Sequence, residues 1–151
     1  PGHTYCHICL CAHAEQPALF SGDTLFNAGA GNVHNGGDVE ALYSSFTEQL
    51  MRLPGNTRIF PGHDYIESNL KFTLAREPGN AAAAALLPTV ASHDPALSIV
   101  TTLKEEKEFN TFMRLSNPSV IAQLRDSFPD LPAEPDAKTV FKKLRELRNA
   151  W

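Results

Sequence analysis

Three short turns carry side chains that could bind a hard or borderline cation. His3 stands in Pro1-Gly2-His3-Thr4 with His7 four residues on, Asp23 in Ser21-Gly22-Asp23-Thr24-Leu25-Phe26, and His63 in Phe60-Pro61-Gly62-His63-Asp64-Tyr65. Each turn puts one imidazole or carboxylate directly after a glycine. Imidazole and carboxylate suit zinc or iron, and a preceding glycine lets the backbone approach an ion closely. One Gly-His or Gly-Asp is an ordinary turn, but three in this order, each at a strand end, are far more specific. A second chemistry lies near the C-terminus, where Lys138, Lys142, Arg145 and Arg148 sit off the apolar stripe of Val140, Phe141, Leu144 and Leu147. Arg145 and Arg148, at i and i+3, could grip carboxylates; equally, positive charge is favoured on any solvated face near a helix C-terminus. The segment from Cys6 to His13 contains a Cys-x-x-Cys, yet an extended strand would spread His7, Cys9, Cys11 and His13 over about 20 Å, too far to surround one ion. Small buried cysteines of a core strand are the expectation there.

The elements that must position these residues fall into two kinds. His7 to His13 and Ala18 to Ser21 read as strands joined by the Glu15-Gln16-Pro17 turn. The glycine-dense stretch Asn27 to Gly37 reads as a loop passing close to something. Asp38 caps a helix over Val39 to Leu53, Thr57 to Phe60 is a strand, and Tyr65 to Arg76 a second helix. Beyond Glu77 nearly everything is helical: Asn80 caps an alanine run, Thr102 to Glu105 fits a capping box, Asn117-Pro118 opens a helix, and Asp136 caps the last one. Strand and helix alternate in the first half, so the expected class is layered α/β followed by a helical unit.

The 151 residues are 42% hydrophobic and 20% charged, the proportions of a folded globular chain. Thirteen Lys and Arg against 17 Asp and Glu give a formal net charge of -4, which argues against general binding to nucleic acid or an anionic membrane surface. No apolar run approaches the ~20 residues that span a bilayer, and three clustered cysteines cannot staple a fold, so a cytoplasmic, reduced setting is expected. The chain starts at Pro1 and its methionines are Met51 and Met113, so a piece of a longer polypeptide is also expected.

The three turns, the helix after Asp38, Asn69-Leu70-Lys71-Phe72 after Tyr65, Glu77-Pro78-Gly79-Asn80, Phe112-Met113-Arg114 and the basic terminal helix together resemble the metallo-β-lactamase superfamily. Within it the chain is similar to glyoxalase II, the hydroxyacylglutathione hydrolases. The resemblance implies the second half of an αββα sandwich over residues 1–76, followed by a helical substrate-binding domain over 77–151. It implies two divalent metal ions, zinc with iron or manganese as alternatives, with His3 on one, Asp23 bridging both and His63 on the second. It also implies that Tyr65, Asn69, Arg145 and Arg148 bind a glutathione thioester such as S-lactoylglutathione, whose hydrolysis to D-lactate and glutathione serves methylglyoxal detoxification.

The family's H-x-H-x-D-H motif is absent, so four of seven ligands are expected upstream, in a missing N-terminal half. The chain alone is then expected to be inactive and to expose a sheet edge and an apolar face. Asn32 stands where many members carry Lys or Arg, removing one cationic contact, and His34 is expected to be a plain loop residue. A persulfide dioxygenase of the same fold and a non-catalytic truncated fragment are the competing readings.

Overall fold

A computed structural model describes residues 1–94 and 96–151. In chain order the elements are β1 (Leu10–Ala12), β2 (Ala18–Gly22), β3 (Leu25–Phe26), β4 (Gly29–Ala30), α1 (Val39–Ser44), β5 (Arg58–Pro61), α2 (Ile66–Arg76), α3 (Ala81–Ala91), β6 (Thr101–Thr102), α4 (Leu103–Phe109), α5 (Pro118–Ser127) and α6 (Ala137–Asn149). The architecture is mixed α/β. One sheet runs β1-β2-β5-β6, and β3 with β4 forms a separate two-stranded ribbon. β2 and β5 are parallel, Leu19 opposite Ile59, as a crossover through a helix requires, while β1 and β6 are antiparallel to their neighbours. The register slips between Phe20 and Gly22. A bulge there turns the chain out of the sheet just before Asp23.

Alternation along β2 and β5 sorts the two faces. Leu19 and Ile59 point into the core, whereas Phe20 and Phe60 stack outside with ring centroids 5.3 Å apart and Arg58 over the Phe60 ring. Outside lies the expected apolar surface: Tyr5, Ile8, Leu10 and Phe20 are exposed, and β1 is exposed along its whole length. The cysteines differ from expectation. Cys6 and Cys11 are exposed and Cys9 is half-buried, its thiol directed at the Ser21 carbonyl, because β1 is an edge strand of the sheet rather than a core strand.

Packing crosses from residues 1–76 into 77–151. One cluster joins Leu19, Leu42, Phe46 and Ile59 to Phe112, Val140, Phe141 and Leu144. Phe141 is fully buried against the edges of Tyr43, Phe46 and Phe112 at 5.3 to 5.6 Å, and truncating such a ring costs about 3–5 kcal/mol. The expected unbroken helix from Val39 begins as α1, widens into a π turn over Ser45–Gln49 and ends as a 3-10 turn over Leu50–Arg52. Here the Ser45 hydroxyl donates to the Pro1 carbonyl and that of Thr47 to the Tyr43 carbonyl, so side chains compete for the helix carbonyls and tie the N-terminus to the helix. The caps expected at Asp38, Asn80, Thr102, Asn117 and Asp136 are formed. β6 was not expected; two residues show no periodicity, and Thr102 serves both as strand and as helix cap.

α4 carries a fully buried carboxylate. Glu106 accepts from the Thr101 hydroxyl at 2.6 Å, Asn110 Nδ2 at 2.8 Å and the Ala28 amide at 2.9 Å. Burial outweighs these donors and pushes its pKa from the ordinary 4.5 up to about 7. A carboxyl raised on folding favours the folded state fully below pH 4.5, and that contribution is lost as pH rises to about 7. Glu106→Gln removes this titration. The unfolding free energy of the native chain, measured relative to that variant, should therefore fall by up to about 3 kcal/mol between pH 4.5 and 7, followed by urea unfolding. A difference that stays constant over that range would contradict the assignment.

Candidate metal and anion site

The three turns meet. Asp23 follows the β2 bulge, His63 follows β5, and parallel pairing of those strands brings the turns side by side. His63 Nδ1 donates to Asp23 Oδ1 at 2.7 Å. Gly62 makes this approach possible, since a Cβ there would lie 2.6 Å from Asp23 Oδ1. His3 comes from the N-terminus, with its Nε2 at 3.5 Å from Asp23 Oδ2. The two oxygens of one carboxylate thus face two different imidazoles.

Tautomers follow from the partners. His3 Nδ1 lies 2.8 Å from the Asn32 carbonyl, which only accepts, so Nδ1 carries a proton. In the neutral ring, Nε2 then turns a lone pair toward Asp23 Oδ2, and two acceptors face each other across 3.5 Å. A proton or a cation between them would relieve the repulsion, so the donor set fits a metal. His7 acts differently. Its Nε2 accepts the Asp23 amide at 3.0 Å, so a neutral His7 bears its proton on Nδ1 and donates to the Thr24 hydroxyl at 3.0 Å. Burial, and then neighbouring His3, lower its pKa and favour that neutral form. His7 therefore fixes the Asp23 turn through the backbone. Spacing placed it near the site without giving it that task. Among the described residues, no three His, Cys, Asp or Glu side chains close around a common point as a metal-binding group.

Beside His63 opens a cavity of about 300 Å³ lined by Phe26, Tyr65, Asn69, Arg145, Arg148 and Trp151 among others. Tyr65 joins it to the metal turn: its ring stacks parallel on that of His63 at 5.4 Å and meets the edge of Phe26 at 5.1 Å. Asn69 is buried, donating to the Asn27 carbonyl and accepting from Arg148 Nε and Nη2 at 3.3 and 3.2 Å. Arg145 is not on a solvated face. It is 5% exposed, lies over the Phe112 ring, and spends Nη1 on the Ala30 and Gly31 carbonyls and Nε on Asn149. Burial, and then Arg148, lower its pKa to about 10. Among the described residues neither guanidinium has a carboxylate partner. His34, expected to be a plain loop residue, lines the same cavity with Asn32. Trp151 and Phe26 also belong to its wall, and nothing in their spacing indicated it.

The family model described as "Hydroxyacylglutathione hydrolase C-terminus" matches residues 64–151. A hydroxyacylglutathione hydrolase of Polaromonas sp. is 79% identical over all 151 residues. The chain belongs to the hydroxyacylglutathione hydrolase family. The Nitrosococcus oceani member of this family is 66% identical, again over the whole chain. The chain spans 57% of the length of each of these two relatives. Among solved structures, ETHE1 from Myxococcus xanthus aligns at 25% identity with a TM-score of 0.49, covering 99% of this chain and 51% of that one.

The two arginines should separate by substitution. Lysine cannot reproduce the fork with which Arg145 holds two carbonyls and Asn149, so Arg145→Lys should cost about 1–3 kcal/mol in urea unfolding. Arg148→Lys should cost clearly less, because its partners are two side chains, Ser68 and Asn69, at 3.2 to 3.3 Å, and it holds no backbone carbonyl. Equal losses would contradict a structural share for Arg145.

Proposed function

We propose that this chain supplies the glutathione-binding part and three metal ligands of a thioester hydrolase, with S-lactoylglutathione as substrate and D-lactate and glutathione as products. The observation that carries this reading is the pair of guanidiniums in the cavity, unmatched by carboxylate among the described residues and one ring stack away from His63. Two desolvated cations that repel each other favour an anionic ligand. Glutathione carries a carboxylate on each terminal residue and its thiol on the central cysteine side chain, so carboxylates held by the arginines would leave the acyl-sulfur bond free to point toward the metal turns. This follows the family's activity rather than that of a persulfide dioxygenase or a fragment without function.

In this reading His3 would hold one divalent cation, Asp23 both and His63 the other, as a metallo-β-lactamase-type sandwich would arrange them, and the remaining ligands would come from an H-x-H-x-D-H segment upstream. Zinc, iron or manganese bound there would supply Lewis-acid activation of water and of the thioester carbonyl. The chain's own residues do the rest. Arg148 and Arg145 bind and orient the carboxylates, Tyr65 and Asn69 close the wall of the cavity, and Asn32 Oδ1 accepts the His34 amide, shaping the rim where the family's usual cation is missing. Residues 1–76 belong to the metal-binding domain and 77–151 to the substrate-binding domain. A reduced, cytoplasmic setting suits three free thiols. Among the described residues no helix is long and apolar enough to cross a membrane.

The test joins this chain to the remaining part of the Polaromonas relative. The joined polypeptide should bind metal and hydrolyse S-lactoylglutathione. Arg148→Ala should raise KM about tenfold with little change in kcat, since its contacts lie away from the carbonyl and serve ground and transition states alike. Asp23→Ala should remove bound metal, read by elemental analysis, and activity together. An unchanged KM in the first variant, or full metal content in the second, would overturn the respective assignment.

A further inference from the structure

The stretch from Asn27 to Asn32 is held at every residue by a side chain from elsewhere. The Asn27 carbonyl accepts from Asn69 Nδ2 at 2.9 Å, the Ala28 amide donates to Glu106, and the Gly29 carbonyl accepts from Asn110 Nδ2 at 3.1 Å. The Ala30 and Gly31 carbonyls accept from Arg145 at 2.7 and 3.1 Å, and the Asn32 carbonyl from His3 at 2.8 Å. One end of this loop therefore seats a cavity arginine, and its last residue anchors a candidate metal ligand. Gly31 is also pressed against the Asp23 turn: a Cβ there would fall 1.7 Å from the Asp23 carbonyl oxygen. Ala28 has φ 58°, a conformation costly for a residue with a Cβ and kept only when the surroundings impose it.

Glu106 supplies that imposition by three routes. It takes the Ala28 amide directly, it holds Asn110, which holds Gly29, and it holds the Thr101 hydroxyl, which accepts from Asn27 Nδ2 at 2.7 Å. All three of its bonds lead to residues 27–29.

We propose that Glu106 is a positioning residue that fixes the 27–32 loop, and through it sets both the seat of Arg145 in the anion cavity and the anchor of His3 in the metal site. It is not among the residues that line the cavity, and it lies outside the three turns. Its effect on turnover rests on the hydrolase reading above; its effect on the loop does not. Nothing in its sequence position, a glutamate in a helix rich in glutamate and lysine, points to this task.

Two variants test it in the joined polypeptide. Glu106→Ala leaves three buried donors unpaired and should raise KM for S-lactoylglutathione about tenfold while lowering bound metal per chain. Glu106→Gln keeps a carbonyl for Ala28 and Asn110 and turns its amide to Thr101, so it should return KM to within about threefold of the native value and restore metal content. A folded Glu106→Ala protein with native KM and metal content overturns the proposal, and so does a Gln variant as impaired as the Ala variant. If Glu106→Ala does not fold, Thr101→Val, which removes one of the three routes at constant shape, should raise both KM and the hydrogen-exchange rate of the Ala28 amide; no change in either overturns it. If the native joined polypeptide does not hydrolyse the thioester, the functional reading fails, and Ala28 exchange in the chain itself, native against Thr101→Val, still decides the role of Glu106.

Discussion

The Asn27–Asn32 segment has only the short β3–β4 ribbon for backbone pairing, so side chains must fix the rest of it, and most of them come from helices that fold far along the chain. Asn69 belongs to α2, Glu106 to α4 and Arg145 to α6. Each buried backbone group of that segment left unpaired would cost on the order of 1–3 kcal/mol, so the loop and the helices that clamp it stand or fall together. Both candidate sites inherit their geometry from this constraint. His3 is aimed by the Asn32 carbonyl, and Gly31 fits against the Asp23 turn. Arg145 is aimed into the cavity because two carbonyls of the loop hold one of its nitrogens.

Charge completes the picture. The buried polar atoms around the loop form a nearly satisfied network, but two guanidiniums stand at the cavity with carbonyls, amides and a hydroxyl as partners. Glu77 holds Arg114 in a bidentate pair at 2.7 and 2.8 Å, so that guanidinium is neutralised within the fold. The same device is absent at Arg145 and Arg148 among the described residues. The contrast separates a structural arginine from a pair available to an anionic ligand.

Much of this was readable in the sequence, for physical reasons that can be named. Glycine-preceded turns fix where candidate ligands sit, Asp23 after β2 and His63 after β5 with His3 near the N-terminus, so these three could be grouped from the sequence, and side-chain caps at Asp38, Asn80, Thr102, Asn117 and Asp136 marked the helix starts. What was hidden depends on long-range pairing. Arg145 looked like a surface residue because helical periodicity assigns faces from one helix alone, whereas the loop of residues 27–32 covers it. Glu106 drew no sequence signal for the same reason, since its partners Ala28 and Asn110 are set by the fold. Cys11 in β1, with Cys6 and Cys9 before it, looked buried because an apolar run does not say whether its strand lies at an edge. β6 was too short for any pattern.

The anion cavity carries its own reporter, since Trp151 is the chain's single tryptophan and lines the cavity wall. Titration of the chain with glutathione should change Trp151 fluorescence saturably, the response should weaken strongly in Arg148→Ala, and a thiol without carboxylates should give none. A fluorescence change that never saturates, or one that is indifferent to Arg148 and to the carboxylates, would contradict an anion site there.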